Sequence, residues 1–380
     1  MKVHNIQDLQ GKGFQGKIAF VTGVTGQDGS HMADYLLANT DLTVVGGARR
    51  LSVENHDNIK HLMNHPRFVL VNFDLTDSHS IYKLVEVLQP DYFINFAAQS
   101  FVKSSWDFAR QTWETNSTAV LDCLEAIVRF KPTCRFYNAG SSEEFGDVVK
   151  TPQDETHPAR PRSPYGASKS AARTIVKVYR ESYGLYAVQG WLFNHEGERR
   201  GEEFVTRKIT LNVNRIVKEL ASGKTPTPLD LGNVNAKRDW SYSPDFMDGV
   251  WRMLNQDIYN VDLAVVRTDM MEIYGDKYTQ WLSRKLSDYV LASGETHTIK
   301  EFVEKSFRCL GLTGSWVGEG LNELFVSNGM TLVYIDQKHY RPAEVEILLG
   351  DSSKVRKELG WKPNTSFDEL VEIMVKNDKK

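Results

Sequence analysis

Apolar residues fall into short β-branched and aromatic runs separated by stretches where they recur every three or four positions. The runs Ile18–Thr22, Leu42–Gly46, Phe68–Phe73, Asp91–Phe96 and Arg135–Asn138 predict strands. Between them the spacing is helical: Met32, Leu36 and Leu37, then Ile81, Leu84, Val85 and Leu88 up to Pro90, then Ala119, Leu121, Leu124 and Ile127. Pro164 predicts another helix start, because its fixed φ suits a first turn. A later strand is expected over 289–294, with helices over 299–310, 353–359 and 367–374. Strands alternating with helices predict an α/β fold: a doubly wound parallel sheet with right-handed crossovers, and a smaller C-terminal α/β substrate domain.

Composition narrows the class. A chain of 380 residues suits one large or two interleaved domains, and 41% hydrophobic with 25% charged residues is ordinary for a globular protein. A net charge of −3 without a compact basic run argues against a nucleic-acid surface. Cys123, Cys134 and Cys309 show no C-x-x-C spacing, which fits a reducing cytoplasm and no metal site. No apolar run has membrane length. Residues 1–16 read as a polar, poorly ordered extension.

The first strand breaks into Gly23, Gly26 and Gly29 before a helix. Glycines at a strand–helix junction let backbone approach a diphosphate, and the helix start offers N–H groups and partial positive charge. The spacing G-x-x-G-x-x-G is the short-chain dehydrogenase/reductase form of this turn, so the sheet is read as a Rossmann sheet. After the second strand, Arg49 and Arg50 stand where an acidic residue would bind the ribose of NAD, and no carboxylate precedes Glu54; this predicts NADP. Asp74 and Leu75 end the third strand, where they would meet the adenine edge. Ala97, Ala98, Gln99 and Ser100 end the fourth, where ligands of open α/β sheets lie. Tyr165 and Lys169, four apart, share a helix face, and an ammonium beside a phenol is expected to favour the phenolate. Ser141 offers a hydroxyl to the substrate oxygen.

These features occur with Thr25-Gly-Gln-Asp-Gly-Ser30, Arg162-Ser-Pro-Tyr-Gly-Ala167, Phe193-Asn-His-Glu196, Arg199-Arg200-Gly201, Phe204-Val-Thr-Arg-Lys-Ile209, Ala236-Lys-Arg-Asp-Trp240 and Tyr340-Arg-Pro-Ala-Glu344. In that order, from Lys17 to the C-terminus with one interruption, the chain resembles the extended short-chain dehydrogenase/reductase enzymes of nucleotide sugars. Within them it resembles the GDP-mannose 4,6-dehydratase family. The resemblance implies an NADP-dependent lyase in deoxysugar biosynthesis, acting on a GDP-sugar and working as a homo-oligomer, a tetramer or dimer. It implies an NADP-binding domain over 17–192 and 239–292, with an insertion at about 257–287, and a nucleotide-sugar-binding domain over 193–238 and 293–380. Ser141, Glu143, Tyr165 and Lys169 would be catalytic, with Glu143 removing the C5 proton. Gln27, Asp28, His195 and Arg200 would join the cofactor residues. Ser100, Ser142, Glu143, Asn194, Arg207, Lys208, Arg238, Arg341 and Glu344 would bind the substrate.

Departures from the family pattern leave alternatives open. Ser141 replaces a threonine, Glu144 an apolar residue, and the loop 51–64 is short. Glu143 and Glu144 also read as an acidic surface loop, and Arg49 and Arg50 as a solvated pair. The insertion carries an amphipathic helix over 278–286 and reads as a surface elaboration. A GDP-heptose 4,6-dehydratase shares most motifs. A nucleotide-sugar 4-epimerase or reductase is the next rival, and a silent NADP-sensing binding protein is the rival outside enzymes.

Overall fold

Strands β1 (Ile18–Thr22), β2 (Thr43–Ala48), β3 (Phe68–Asn72), β4 (Tyr92–Asn95), β5 (Arg135–Ala139) and β6 (Ala187–Leu192) form one parallel sheet with a late strand, Val290–Leu291. The structure is a computed structural model and describes residues 3–14, 16–340, 345 and 347–379. The spatial order is Val290–Leu291, β6, β5, β4, β1, β2, β3. The chain therefore winds outward one way from β1 and the other way from β4, and the crevice at that reversal is where such sheets hold ligands.

Each strand is buried on both faces because helices cover both. Met32 and Leu36 of α1 (Gln27–Asn39) and Phe246, Met247 and Val250 of the helix Ser243–Met253 pack on one face. Ile81 and Leu84 of α2 (Ser78–Leu88), Leu124 and Ile127 of the helix Ala119–Phe130, and Val176 of the helix Pro164–Tyr183 pack on the other. The predicted strands and helices are found, with ends moved by up to three residues.

The smaller unit begins where the chain leaves β6. The helices Val205–Ala221, Ile299–Cys309 and Phe367–Asn377 pack on a four-stranded sheet of Leu229–Leu231, Met330–Ile335, Leu324–Ser327 and Ser315–Val317 around their own core. The antiparallel strands over 315–335 were not anticipated. Val355, Leu359 and Trp361 pack in the core of the large sheet.

Two expectations change. The segment before β1 is docked, not loose: His4 donates its N–H to Leu70 O at 2.9 Å and accepts from Asn72 N at 2.8 Å, while Ile6 and Leu9 are buried. Three hydrogen-bonded or apolar anchors outweigh the polarity of the rest. The insertion carries not one helix but Gln256–Tyr259, Val261–Tyr274 and Tyr278–Ser283. The middle one buries no residue, because its apolar side chains are spread around its circumference.

One polar chain crosses the large sheet inside its core. Ala97 N donates to Thr22 Oγ1 (3.0 Å), Thr22 Oγ1 to Asn95 Oδ1 (2.6 Å), Asn95 Nδ2 to Asn138 Oδ1 (2.8 Å), and Asn138 Nδ2 to Gln189 Oε1 (2.6 Å). Gln189 Nε2 then reaches Glu144 Oε1 at 3.2 Å, and Arg173 Nε meets Glu144 Oε2 at 2.6 Å. Polar side chains tolerate such burial only when every member is satisfied. Asn138→Leu strands a partner on either side, at about 1–3 kcal/mol for each group left unpaired. Urea unfolding should show a loss of that size, whereas an unchanged midpoint would mean that water replaces Asn138.

Candidate active site

The glycine turn is built by close approach. Gly23 has φ +63° and a Cβ there would meet Ala97 N at 2.9 Å; a Cβ on Gly29 would meet Gly23 O at 2.3 Å. Gly26 is the N-cap of α1 and no side chain caps that helix start. The turn, the ends of β4, β5 and β6, and the smaller unit enclose a cleft of about 270 Å³.

Ser163 caps the helix Pro164–Tyr183 by accepting from Gly166 N at 3.0 Å. A Cβ on Gly166 would meet Glu143 O at 2.5 Å, so this glycine lets the turn after β5 lie against the helix start. Ser141, Ser142, Glu143, Tyr165 and Lys169 thereby line one cleft. Tyr165 is hydrogen-bonded to Ser141, and Lys169 Nζ donates to Ala139 O at 2.8 Å, 5.9 Å from the Tyr165 ring centre. Burial pushes the phenol up to about 12 despite the Ser141 bond, with the charges of Glu143 and Glu144 adding to the rise. Burial also brings Lys169 down to about 8, against the pull of Glu144 and Asp28. Lys169 gives this hydrogen bond to a carbonyl, and burial is the largest influence on the phenol.

The two glutamates separate cleanly. Glu143 lines the cleft. Glu144 is fully buried, paired with Arg173, and accepts from Ser141 N at 2.9 Å. It belongs to the core.

Other predicted residues divide the same way. Asp28, Ala98 and Ser100 line the cleft, as do Asn194, His195, Arg200, Lys208 and Arg238. Arg200 pairs with Glu196 at 2.9 Å and lies over the Phe204 ring. Gln27 bridges Asp28 and the His195 carbonyl, both at 3.0 Å. Thr25, Arg49 and Arg50 line a second, smaller cavity at the end of β2. Five further predicted residues lie outside the cleft lining and have partners of their own. Arg207 turns from the cleft to Asp378 at 2.9 Å and to Glu198 O, because it projects about 100° from its neighbour Lys208 on the helix. Asp74 folds onto its own turn, accepting from Thr76 N at 2.9 Å, and Leu75 is buried in the core. Gln99 braces its loop through Asn116, Ser104 and Phe101 O instead of facing a ligand. Ala97 is tied to Thr22. Arg341 and Glu344 lie outside the described residues.

Sequence reasoning missed Asp230 and His339. Asp230 holds Lys208 Nζ at 2.9 Å and His339 Nε2 at 2.9 Å, which fixes both at the cleft wall. These residues are far apart in the chain, and no local motif marks them.

Asp28 and His195 form the strongest electrostatic feature. His195 Nδ1 is 2.7 Å from Phe193 O and Nε2 is 3.0 Å from Asp28 Oδ2, so both ring nitrogens face acceptors, an arrangement that favours the protonated ring. Burial opposes that charge, but Asp28 and the Phe193 carbonyl raise the ring's pKa above 6.5. Burial would likewise raise Asp28, yet His195 and Arg200 hold it well below the usual carboxylate range. Among the described residues, Asn194 Oδ1 is buried in the cleft with no hydrogen-bond partner. An uncapped helix start beside a fixed cation fits a nicotinamide dinucleotide, and the buried Asn194 acceptor is open to a donor from a ligand in the cleft.

The GDP-mannose 4,6 dehydratase family model matches residues 20–276 and 268–374. The GDP-mannose 4,6 dehydratase of Drosophila melanogaster is 41% identical over 95% of this chain and 86% of its own length. The Homo sapiens protein of that name is 40% identical over 97% and 94%. Among solved structures, the dTDP-glucose 4,6-dehydratase of Bacillus anthracis with NAD has a TM-score of 0.69 at 18% identity over 95% and 96%. DesIV, the dTDP-glucose 4,6-dehydratase of Streptomyces venezuelae with NAD, has 0.70 at 20% over 95% and 96%. RMD from Pseudomonas aeruginosa with NADPH has 0.67 at 20% over 96% and 99%.

These structures correct the expectation of NADP, since NAD is the dinucleotide in most of them and NADPH in one. Glu54, set aside for its distance in sequence, lines the same cavity as Arg49 and Arg50. No helix among the described residues is long and apolar enough to cross a membrane.

The ion pair gives a pH signature. Asp28's contribution is present above its ordinary 3.8 and is lost as pH falls through its depressed value; that of His195 is complete below 6.5 and is lost as pH rises through its raised value. Histidine NMR should place the His195 midpoint above that of an ordinary histidine, and Asp28→Asn should lower it. A neutral His195 ring at pH 6.5 in the unmodified protein would refute the pair.

Proposed function

The chain belongs to the GDP-mannose 4,6-dehydratase family, and from that premise we propose how its residues divide the work of a GDP-mannose-type nucleotide-sugar 4,6-dehydratase. The carrying observation is that Ser141, Glu143 and Tyr165 line one cleft while Glu144 is sequestered with Arg173. A nicotinamide dinucleotide held by the glycine turn and the start of α1 would supply the hydride chemistry, from C4 of the sugar to C6.

Tyr165 takes the proton from the C4 hydroxyl, and Ser141 holds that oxygen. The phenol needs a nearby positive charge to titrate lower, which Lys169 supplies along the ring face. The resulting ketone acidifies C5–H. Glu143 removes that proton and passes it to the departing C6 hydroxyl, which leaves as water, and the proton that Tyr165 took from the C4 hydroxyl balances the one that C5 regains when hydride reaches C6. Lys208 and Arg238 face the diphosphate, since cationic donors suit its oxygens. Asn194 and Ser100 orient the sugar. A carboxylate at position 143 is what separates this reading from an epimerase or reductase, neither of which needs to remove the C5 proton.

We further propose that the division between units follows the two cores, that the protein works as a homo-oligomer of two or four copies, and that its three thiols suit the cytoplasm. Light scattering tests the oligomer.

Incubation with GDP-mannose and no added dinucleotide should yield a product lighter by one water. Tyr165→Phe should abolish this and leave the bound dinucleotide oxidised. Glu143→Gln should slow elimination by about a hundred- to ten-thousandfold, the usual weight of a positioned general base. C4 oxidation would survive, so reduced dinucleotide should accumulate, read by its near-ultraviolet absorbance. Product formation by Glu143→Gln at the unmodified rate would exclude Glu143 as the base.

A further inference from the structure

The cavity at the end of β2 has a wall that the dinucleotide turn does not supply. Thr25, Arg49, Arg50 and Glu54 come from the sheet and its loops, but Val3 comes from the segment before β1. That segment is fixed by ladder bonds to the outer edge of β3, through His4 N to Leu70 O at 2.9 Å and Asn72 N to His4 O at 2.8 Å. Asn72 Nδ2 also donates to Asn5 Oδ1 at 3.3 Å, and Asn72 itself lines the cavity. Ile6 and Leu9 bury on the opposite face of the sheet from Val3, so the segment clamps the β3 edge from both sides.

We propose that residues 3–9 are part of the dinucleotide site, with Val3 closing the pocket that holds the adenosine ribose. The inference rests on the dinucleotide reading above and adds a structural element to it. The end of β2 is where a doubly wound sheet places that ribose. Most of the pocket's lining is polar, and Val3 joins Ala48 and Leu51 as its apolar part. The clamp holds this wall in register with Arg49 and Arg50, because β3 pairs directly with β2.

Val3→Glu tests this without touching the ladder bonds or the buried Ile6 and Leu9. Stripped protein is titrated with NAD and with NADP by calorimetry. For whichever the unmodified protein binds, Kd should rise about tenfold or more, which is about 1.4 kcal/mol. Dinucleotide carried through purification should be lost on desalting, while KM for GDP-mannose at saturating dinucleotide stays unchanged. If Val3→Glu does not fold, Val3→Ala takes its place, with a rise of about threefold expected. Unchanged Kd in the folded variant would overturn the proposal. An unmodified protein that binds neither dinucleotide would instead overturn the reading of the site itself.

Discussion

The polar chain from Ala97 N through Thr22, Asn95, Asn138 and Gln189 to Glu144 and Arg173 is the constraint on which the site depends. It ties the carboxyl ends of β1, β4, β5 and β6 together at one level, and those are the ends that carry the functional groups. At its β1 end it fixes the loop that Gly23 approaches. At its β6 end it draws Glu144 into the core, and the turn that holds Glu144 inward presents Glu143 to the cleft. Buried hydrogen bonds of this kind contribute little net stability each, but breaking one strands its neighbours. Register is thus coupled to chemistry.

Electrostatics then divides the cleft. Asp28 and His195 place a compensated ion pair beneath the dinucleotide turn, while Tyr165 and Lys169 are both pushed toward their neutral forms by burial.

Much of this was legible in the sequence, and the limits have physical causes. The alternation of strand and helix periods exposed the sheet, and Tyr165 with Lys169 followed from helical spacing. The Glu143 assignment needed the family resemblance, since a local reading cannot tell which of two adjacent carboxylates turns inward. The missed contacts are long-range. Asp230 with His339, and Arg207 with Asp378, join residues more than a hundred positions apart. The docked segment 3–9 escaped notice because ladder bonds to β3 leave no hydrophobic period behind. Arg49 and Arg50 misled because charge was judged along the chain, whereas Glu54 folds back into their cavity.

The central claim is that one hydride moves within one sugar, from C4 to C6, while Glu143 handles only the C5 proton. GDP-mannose labelled with deuterium at C4 tests this most directly, with the product read by NMR and mass spectrometry. The label should appear at C6 of a 4-keto-6-deoxy sugar, with no net change in the bound dinucleotide. Deuterium that remains at C4, or is lost to solvent while the product forms, would contradict it.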